Sequence, residues 1–449
     1  MAFEINEILL TRIKELIKNQ DKPALLSLLS EEHFADIAEL IEELTLDEAT
    51  YIIKLLDSQL TADVLMELDD DDREKILENL SSKEIAEELE ELDTDDAADM
   101  IGELPEERQA KVIANIEDEE HKADIEDLLK YPEDTAGGLM AKELVKVYNN
   151  WNVLKCVKEM RAQAEFVTRV HSIYVVNQDN KLEGRLSLKD LLTTSTTTPV
   201  SEISIPKVDY VNVNDSAEDV ARVMQKYDLE AIPVVDDEMH LLGRITIDDI
   251  VDVIREEADK DYQMAAGLSQ DVEADDTIWK HTRARLPWLF LGLFGGVGAA
   301  AIMGNFEEMI SKHAILFFFT PLIAAMAGNV GVQSSAIIVQ GIANDELKGS
   351  IGNRLFKEFL LAVVNGLSLA ILLFFVTWYW QGQMLTSVAI SISLFSVIIV
   401  AGIIGTFIPL FLHKQNIDPA IATGPFITTS NDIFGILIYF LIAKMILNI

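Results

Sequence analysis

One aspartate stands out by its surroundings, because it is the only charged residue in an otherwise apolar stretch. Asp432 lies near the middle of the run from Pro419 to about Ala443 and directly follows Asn431. A carboxylate at mid-membrane costs about 2.5 to 3.5 kcal/mol on insertion scales, so such a group usually faces a protein interior or water and marks an ion path. The chemistry predicted for Asp432 is the binding of a cation through oxygen ligands.

The neighbours of Asp432 on a helix predict what surrounds it. A helical period places Gly424, Thr428, Gly435 and Tyr439 on the same face as Asp432. Small and polar residues of this kind suit a wet face that lines an ion pathway. They also suit a surface on which membrane helices pack closely, and this alternative stays open.

Polar residues interrupt a second apolar segment. The sequence GNVGVQSS, from Gly328 to Ser335, contains two glycines, an amide pair and two hydroxyl groups. It is interpreted as a second lining segment, in which Asn329 faces the pathway. The alternative is that Asn329 and Gln333 form hydrogen bonds between helices. Gly292 and Gly296 of the first apolar run are interpreted as packing residues.

Charge and hydropathy divide the chain into an acidic front part and an apolar back part. The 449 residues have a formal net charge of −40 but a mean hydropathy of +0.19. Residues 1–130 have 12 basic and 40 acidic side chains, residues 131–285 have 18 and 29, and residues 286–449 have only 6 and 7. Apolar runs of about 20 residues or more, in which Asp432 is the single charge, predict five membrane-spanning helices in the last part. The long run Phe359–Leu412 is divided into two spans, because it has a polar break at Gln381–Gln383. A single-domain soluble enzyme is excluded.

The distribution of basic residues predicts the orientation of these helices. With the acidic front part in the cytosol, two basic residues, Lys312 and Lys444, fall on the outer side. Six fall on the inner side: Arg283, Arg285, Lys348, Arg354, Lys357 and Lys414. This asymmetry follows the positive-inside rule. The expected location is the plasma membrane, with cytosolic N-terminal domains and the C-terminus outside.

The first 130 residues repeat a short amphipathic pattern, as in HFADIAELIEEL, TADVLMELDD and SKEIAEELEEL. Acidic or hydroxyl residues before each apolar run are typical helix caps, so a superhelix of short helices is expected. A calcium loop at Asp69–Asp72 is excluded, because Arg73 stands at a ligand position and no glycine follows. Neither a spaced histidine pair nor a phosphate-binding loop occurs, so no enzyme activity is expected. The acidity argues against a nucleic-acid partner.

An internal repeat lies between the acidic start and the apolar part. Residues 172–191 match residues 231–250 at a constant shift of 59, with identities such as Gly184 with Gly243. Each copy predicts a strand, a turn, a strand and a helix. The pattern resembles the CBS domain pair, a regulatory module that often binds adenine nucleotides between its repeats. The resemblance implies a ribose contact for Asp190, although the same residue could cap the following helix.

The order of these parts, with a last span that contains DPAIATGPFITTSNDIFG, resembles the MgtE-type magnesium transporter family. The resemblance covers essentially the whole chain, and GNVGVQSS and the segment Asp418–Gly435 are its most specific parts. It implies a homodimeric Mg²⁺ channel in the lipid bilayer. The implied multidomain fold has an acidic all-α superhelical N domain at 1–130, α/β CBS domains at 131–200 and 201–248, a connecting or plug helix with its linker at 249–285, and an α-helical membrane domain with five spans at 286–449.

The resemblance also assigns roles to individual acids. Asp432 matches the pore aspartate, and Asp418 lies where the ion would pass inward. The positions that match acids binding regulatory Mg²⁺ are Asp63, Asp95, Asp99, Glu218, Asp228, Asp249, Asp252, Glu257 and Asp261. Ser216 and Lys260 depart from the family, since related sequences can carry further acids there.

The expected function is passive entry of Mg²⁺ into the cytosol, stopped when cytosolic Mg²⁺ binds the acidic domains and closes the plug. One carboxylate per chain cannot enclose a divalent ion, but Mg²⁺ keeps several waters, and a two-fold dimer supplies two carboxylates. Two alternatives stay open. The same fold could carry Co²⁺, Ni²⁺ or Mn²⁺, although oxygen donors without soft or nitrogen ligands favour Mg²⁺. A CBS-containing membrane receptor without transport would not need Asp432.

Overall fold

The computed structural model describes residues 5–448, apart from positions 165, 166, 168, 271, 275, 345, 346, 348, 416 and 423. Lys348, one of the six basic residues predicted on the inner side, lies outside the described residues. The chain forms two compact units, Met1–Ile254 and Arg255–Ile449. The predicted fold class is confirmed: the first unit contains a helical domain and a pair of small sheets, and the second contains five membrane-length helices.

Ten short helices form the N-terminal part of the first unit. They are α1 (Glu7–Lys18), α2 (Lys22–Leu29), α3 (Phe34–Glu42), α4 (Leu46–Ile53), α5 (Ser58–Glu67), α6 (Asp70–Glu78), α7 (Ser82–Leu89), α8 (Thr94–Gly102), α9 (Glu106–Ile113) and α10 (Glu119–Leu128). Most begin at a side chain that accepts hydrogen bonds from free backbone amides, as the sequence predicts. Asp57 caps α5, and Ser81 forms a capping box with Glu84 at α7. Ile37 and Leu65 lie fully buried in the common core.

Arg73, which excludes a calcium loop, is part of this helical core. Its guanidinium is buried and forms an ion pair with Glu103, the residue that follows α8. The same group donates hydrogen bonds to the carbonyl oxygens of Met66 at 3.3 Å and Leu68 at 3.2 Å. A buried charge is tolerated when it is paired and hydrogen-bonded in this way. Arg73 therefore fixes α6 against the end of α8.

The internal repeat forms two three-stranded sheets. The first contains β1 (Val145–Tyr148), β2 (Ile173–Val176) and β3 (Leu182–Leu186), and the second contains β4 (Val211–Asn212), β5 (Ala231–Val235) and β6 (Leu241–Thr246). In each sheet the first two strands are parallel and the last two antiparallel. The accompanying helices are α11 (Val153–Gln163), α12 (Leu188–Thr193), α13 (Val200–Ile203), α14 (Ala217–Tyr227) and α15 (Ile247–Ala266).

A reciprocal pair of backbone hydrogen bonds joins the two sheets. The amide of Leu182 donates to the carbonyl of Met239 at 2.9 Å, and the amide of Leu241 donates to the carbonyl of Asn180 at 3.0 Å. Leu241 and Met239 follow Leu182 and Asn180 at the same shift of 59 positions that relates the two sequence copies. The predicted repeat is therefore confirmed as a structural repeat with approximate two-fold symmetry.

Five long helices make up most of the second unit. They are α16 (Ile278–Asn305), α18 (Ile315–Ala343), α19 (Ile351–Gln381), α20 (Met384–Lys414) and α21 (Pro425–Leu447), with a short α17 (Glu307–Lys312) and a 3₁₀ turn at Pro419–Ala422. Their length and apolar composition confirm the five predicted spans. The helix α19 begins before the apolar run and includes Glu358, because Ser350 provides an N-cap by accepting from the amide of Asn353 at 3.3 Å.

Candidate ion pathway and acidic cluster

A cavity of about 780 Å³ lies within the second unit, and Asp432 is part of its wall. The helix α21 also contributes Thr428 and Thr429. Among the described lining residues, Asp432 is the only carboxylate and Arg285 the only other charged side chain. The hydroxyl of Thr428 donates to the carbonyl of Gly424 at 2.9 Å, so towards a cation its oxygen can offer only lone pairs. The wall therefore presents oxygen ligands to an ion.

Glycines give the Asp432 side chain its room. A methyl group at Gly328 of α18 would lie 3.6 Å from Oδ1 of Asp432 and 3.2 Å from Cγ2 of Thr428. Gly292 and Gly296 of α16 line the cavity, and within the described chain nothing lies within 4 Å of a methyl group added there. Within the described chain these two glycines therefore border open space, and a packing role for them stays a prediction.

The predicted face around Asp432 is only partly correct. Thr428 and Asp432 do line the cavity. Gly435 and Tyr439 are buried in the helix bundle instead, and the hydroxyl of Tyr439 donates to the carbonyl of Leu316 at 3.0 Å. The cavity ends about one turn after Asp432, whereas Tyr439 lies about 10 Å further along the helix, where α18 covers it.

The start of α21 lies directly against the end of α15. Gly424 has φ +52°, a conformation that favours glycine, and a methyl group on it would overlap the carbonyl oxygen of Ala265. Gly267 has φ +86°, and a methyl group there would overlap Cγ of Pro425. The two glycines therefore allow the backbone that follows α15 to contact the beginning of α21.

Acidic side chains and one lysine lie near this contact. Nζ of Lys260 donates to Oε1 of Glu257 at 3.0 Å. This hydrogen bond, together with the charges of Glu257, Asp418 and Asp261, raises the pKa of Lys260 above its usual value. Asp418 is exposed and accepts a hydrogen bond from the amide of Ala420 at 2.8 Å. Lys260, which departs from the family pattern, thus brings a fixed positive charge beside two predicted Mg²⁺ ligands, Glu257 and Asp261, and beside Asp418 of the predicted pathway.

A second group of carboxylates lies in the first unit, between α8 and the segment before β1. Carboxylate oxygens of Asp93, Asp95 and Glu143 all lie within 4.8 Å of one another. Asp95 is only 8% exposed. The amide and the hydroxyl of Thr94 donate to Oε2 of Glu143 at 3.2 and 2.8 Å and hold it against α8. Three carboxylates at this spacing can bind one divalent cation.

Burial makes negative charge costly in this group. The pKa of Asp95 and that of Asp96 are raised, mainly by burial and secondly by the charges of neighbouring carboxylates. Burial also raises the pKa of Glu143. Asp249 at the start of α15 has a raised pKa for the same reason, although its Oδ2 accepts from Oγ1 of Thr246 at 2.8 Å. We call Asp93, Asp95, Asp96, Glu143 and Asp249 the acidic cluster.

Two basic groups lie at the edge of the acidic cluster. Nη2 of Arg244 is 3.5 Å from Oδ2 of Asp93, and Nδ1 of His121 is 4.0 Å from Oε1 of Glu143. Five acids beside these two groups leave an excess of negative charge. Such a site gains stability from a bound proton or a bound cation.

Comparison with known proteins yields three family matches. Residues 320–442 match the model of MgtE, a divalent cation transporter, residues 32–134 match the MgtE intracellular N domain, and residues 136–196 and 200–256 match the CBS domain. The magnesium transporter MgtE of Enterococcus faecalis is 38% identical over 323 residues, which cover 72% of this chain and 71% of that one. The magnesium transporter MgtE of Bacillus subtilis is 36% identical over 322 residues, with the same shares. The chain belongs to the MgtE family of divalent cation transporters.

A solved structure resembles the soluble half of this MgtE-family chain. It is the crystal structure of the cytosolic domain of the Mg²⁺ channel MgtE in complex with ATP. It is 35% identical with a TM-score of 0.51, and the match covers 54% of this chain and 99% of that one. The likeness supports the architecture of a helical domain followed by a CBS pair.

The acidic cluster contains two of the acids that the MgtE resemblance assigns to regulatory Mg²⁺, Asp95 and Asp249. Sequence reasoning missed Asp93, Asp96 and Glu143. The first two belong to the acidic run at the start of α8, where a role in helix capping is an equally good interpretation. Glu143 is isolated in the sequence, and only the fold brings it to α8.

Other predicted regulatory acids of the first unit are not members of the acidic cluster. Glu218 is exposed, and its Oε1 pairs with Nη2 of Arg222 at 2.7 Å. Asp228 ends α14 in a left-handed conformation with φ 51°. The remaining ones are Asp252, which is exposed, Asp63, which is half-buried, and Asp99 on α8, whose pKa is raised to about 7 by burial and by the charges of Glu133 and Asp249. Metal binding by these acids stays a prediction.

Two further predicted residues lie away from both sites. Asn329 is exposed on α18 and is not part of the cavity wall. Asp190 lies in the first turn of α12, half-buried. The N-cap of α12 is Ser187, which accepts from the amide of Lys189 at 3.2 Å. The capping role considered for Asp190 therefore belongs to Ser187.

A second carboxylate on a membrane helix is not apparent from the sequence pattern. Oε1 of Glu358 on α19 accepts from Oγ of Ser334 at 2.6 Å, and a methyl group at Gly402 of α20 would lie 2.9 Å from the same oxygen. The apolar run begins only at Phe359, so the pattern leaves Glu358 outside the span. The one sequence signal for a hydrogen-bond acceptor such as Glu358 is the pair of hydroxyl residues, Ser334 and Ser335, at the end of GNVGVQSS. Part of that segment therefore forms a hydrogen bond between helices, through Ser334.

Proposed function

We propose that this chain carries Mg²⁺ passively across the membrane into the cytosol, along a pathway that passes Asp432. The observation that carries the proposal is the position of Asp432 in the wall of a cavity within the membrane domain of an MgtE-family chain. The two relatives from Enterococcus faecalis and Bacillus subtilis are named magnesium transporters. Neither thiolate nor imidazole occurs among the described lining residues, and oxygen donors favour Mg²⁺ over Co²⁺ or Ni²⁺.

Hydrated Mg²⁺ is the form that a single carboxylate can hold, because Mg²⁺ keeps several of its waters in protein sites. A homodimer would bring two Asp432 side chains to the ion, and we include this dimer in the proposal. The N-terminal domains lie in the cytosol and the C-terminus outside. An inside-negative potential supplies about 2.3 kcal/mol per charge for each 100 mV, so entry needs no ATP hydrolysis.

Uptake by vesicles that contain the purified full-length chain tests this function. With an inside-negative potential and without ATP, they should take up Mg²⁺ faster than empty vesicles, and Co²⁺ and Ni²⁺ more slowly than Mg²⁺. Faster uptake of Co²⁺ or Ni²⁺ would support the alternative cargo. Binding of Mg²⁺ without uptake would support a membrane receptor.

The acidic cluster is the proposed sensor of cytosolic Mg²⁺. Its oxygens from Asp93, Asp95 and Glu143 are close enough for one ion, and its five acids outnumber the two basic groups at its edge, Arg244 and His121. Without a cation the carboxylates repel one another, and with Mg²⁺ they hold α8 against the CBS pair. Mg²⁺ therefore favours the arrangement in which α8 is held against the CBS pair. The shift towards this arrangement is limited by how much more tightly Mg²⁺ binds it than the open one. Surface acids such as Glu218 and Asp252 would add weaker sites.

The end of α15 is the proposed gate. Ala265 and Gly267 contact Gly424 and Pro425, about two turns before Asp432 on the cytosolic side of the proposed pathway. Acids of this region, Glu257, Asp261 and Asp418, would bind Mg²⁺ when the gate is closed. Because Lys260 already supplies one positive charge there, fewer Mg²⁺ ions are needed. The helix α15, which carries both Asp249 and Ala265, connects sensor and gate.

Enlarging Gly424 is expected to weaken closing. In Gly424→Ala the methyl group would overlap Ala265, and the positive φ is strained for alanine, so the concentration of Mg²⁺ that halves uptake should rise about tenfold. Gly267→Ala should have the same effect from the other side of the contact. Gly352→Ala on α19 is the matched control, because Oγ of Ser350 at 4.0 Å is the only described atom that the added methyl group would approach so closely, apart from its chain neighbours and the backbone of its own helix. An unchanged inhibitory concentration in both gate variants would place the gate elsewhere.

An adenine nucleotide is the proposed ligand of the CBS pair, since the cytosolic domain of the related Mg²⁺ channel was solved in complex with ATP. Asp190 in the first turn of α12 is the proposed ribose contact. Filter retention of ATP by the wild-type chain, and its loss in Asp190→Ala, tests this assignment. Equal retention by both proteins would remove Asp190 from the nucleotide site.

A further inference from the structure

Asn431, the residue before Asp432, is buried in the membrane domain. Its side chain is 1% exposed, and neither its amide oxygen nor its amide nitrogen has a hydrogen-bond partner in the part of the chain that the structure describes. An unpaired buried amide destabilises a protein, and the bilayer core offers no water to relieve it. An apolar residue would avoid this cost, so the asparagine needs another reason.

The amide of Asn431 lies on the backbone of Gly331 in α18. A methyl group at Gly331 would overlap Nδ2 of Asn431 and would lie 3.0 Å from its Cγ. The same methyl group would lie 2.7 Å from Cγ2 of Ile427, one turn earlier on α21. A flat amide can lie against a glycine in this way, whereas the branched side chain of leucine would project a methyl group into the backbone. Gly331 is therefore the residue that leaves room for Asn431.

The backbone of Gly331 is also in contact with α20, through Gly405. A methyl group at Gly405 would overlap the carbonyl oxygen of Gly331 and would lie 3.0 Å from its Cα. The helix α18 therefore cannot move closer to α20 to make room for a larger group beneath Asn431. Three helices meet at one point, through Asn431, Gly331 and Gly405.

This contact fixes the rotation of α21 about its axis. Consecutive side chains on an α-helix are about 100° apart, so the place of Asn431 decides the direction of Asp432. With Asn431 on Gly331, Asp432 lies in the cavity wall, and its Oδ1 is 3.6 Å from a methyl group at Gly328, one turn earlier on α18. A rotation that displaced Asn431 would move Asp432 through the same angle.

We propose that Asn431 is a positioning residue for Asp432: its side chain fills the space over Gly331 and sets the rotation of α21 at which Asp432 faces the ion. Asn431 is not part of the cavity wall and acts only through its neighbour. The inference rests on the proposed role of Asp432 in Mg²⁺ transport.

Paired substitutions in the reconstituted full-length chain test the proposal. Gly331→Ala should lower the initial rate of Mg²⁺ uptake at subsaturating Mg²⁺ about tenfold, because displacing a functional group by an ångström has effects of this size or larger. Adding Asn431→Ala removes the severest overlap, that with the amide, and leaves the contact with Ile427 at 2.7 Å, so the double variant should recover about fivefold. Gly304→Ala on α16, with nothing described within 4 Å, should behave as wild type.

The half-saturating concentration of Mg²⁺ separates positioning from folding. A displaced Asp432 raises that concentration, whereas a smaller amount of folded protein lowers only the maximum rate. Asn431→Ala alone adds no bulk, and it should raise the half-saturating concentration of Mg²⁺ about threefold. This variant keeps the test valid if Gly331→Ala does not fold. The proposal is overturned by an unchanged half-saturating concentration in Asn431→Ala, or by a folded double variant no better than Gly331→Ala. A wild-type chain that carries no Mg²⁺ would instead overturn the proposed function and its premise.

Discussion

Asp432→Ala is expected to abolish Mg²⁺ uptake, with a fall in initial rate of about a hundredfold or more. Asp432 is the only carboxylate among the described residues of the cavity wall, so its loss leaves the ion without a compensating charge in the membrane. Asp432→Asn, which keeps the shape of the side chain, should lose uptake to a similar extent. The measurement is the initial rate of Mg²⁺ entry into vesicles, at equal amounts of reconstituted protein.

A matched control comes from an acid of the same unit outside the cavity. Glu308 in α17 is exposed and forms an ion pair with Lys312 at 2.7 Å. Glu308→Gln should therefore retain the wild-type rate. Undiminished uptake by Asp432→Asn would show that the pathway does not use the charge of this residue.

Removal of two carboxylates of the acidic cluster is expected to leave uptake active at millimolar Mg²⁺ on the side of the N-terminal domains. In the wild type, millimolar Mg²⁺ on that side should reduce the initial rate of uptake about tenfold or more. In the double variant Asp95→Ala with Glu143→Ala, the rates at low and at millimolar Mg²⁺ should be nearly equal. The double substitution removes two of the three close carboxylates. It also removes the acceptor of both Thr94 hydrogen bonds, which join α8 to the segment before β1.

An exposed acid of the same domain provides the comparison for this variant. Glu106 lies in the first turn of α9, away from the close carboxylate group, and Glu106→Ala should be inhibited as the wild type is. Hydrogen exchange of α8 gives an independent measurement, since Mg²⁺ should slow it in the wild type and not in the variant. Inhibition of the double variant at the wild-type concentration would move the sensor to other acids, such as Glu218, Asp228 or Asp252.

Features that depend on local periodicity could be predicted from the sequence. The apolar runs predicted five spans, and the structure has five helices of membrane length. The repeat at a shift of 59 positions predicted two copies of one unit, and the structure has two similar three-stranded sheets joined by backbone hydrogen bonds. Asp432 could be assigned to a cavity because a charge in the middle of an apolar helix usually faces water or a protein interior. Tyr439 could not be placed in the same way, because periodicity gives a direction around the helix and not the point at which the cavity ends.

Features that depend on contacts between distant segments could not be predicted. Glu143 is an ordinary surface residue by its sequence, and it becomes a candidate ligand only because Thr94 holds it against α8. The importance of Gly331 appears only when Asn431 and Gly405 are seen on its two sides. The pairing of Glu218 with Arg222 follows from a spacing of four on one helix, and it weakens the expectation that Glu218 is an open metal ligand.

The measurement that tests the central claim most directly is the rate of Mg²⁺ entry at low and at millimolar Mg²⁺ on the face that carries the N-terminal domains. Oriented vesicles or inside-out patches of the wild-type chain give both values in one preparation. We predict rapid entry at the low concentration and arrest at the high one, with no entry in Asp432→Ala at either. Equal entry at both concentrations would contradict regulation by cytosolic Mg²⁺, and absence of entry at both would contradict transport itself.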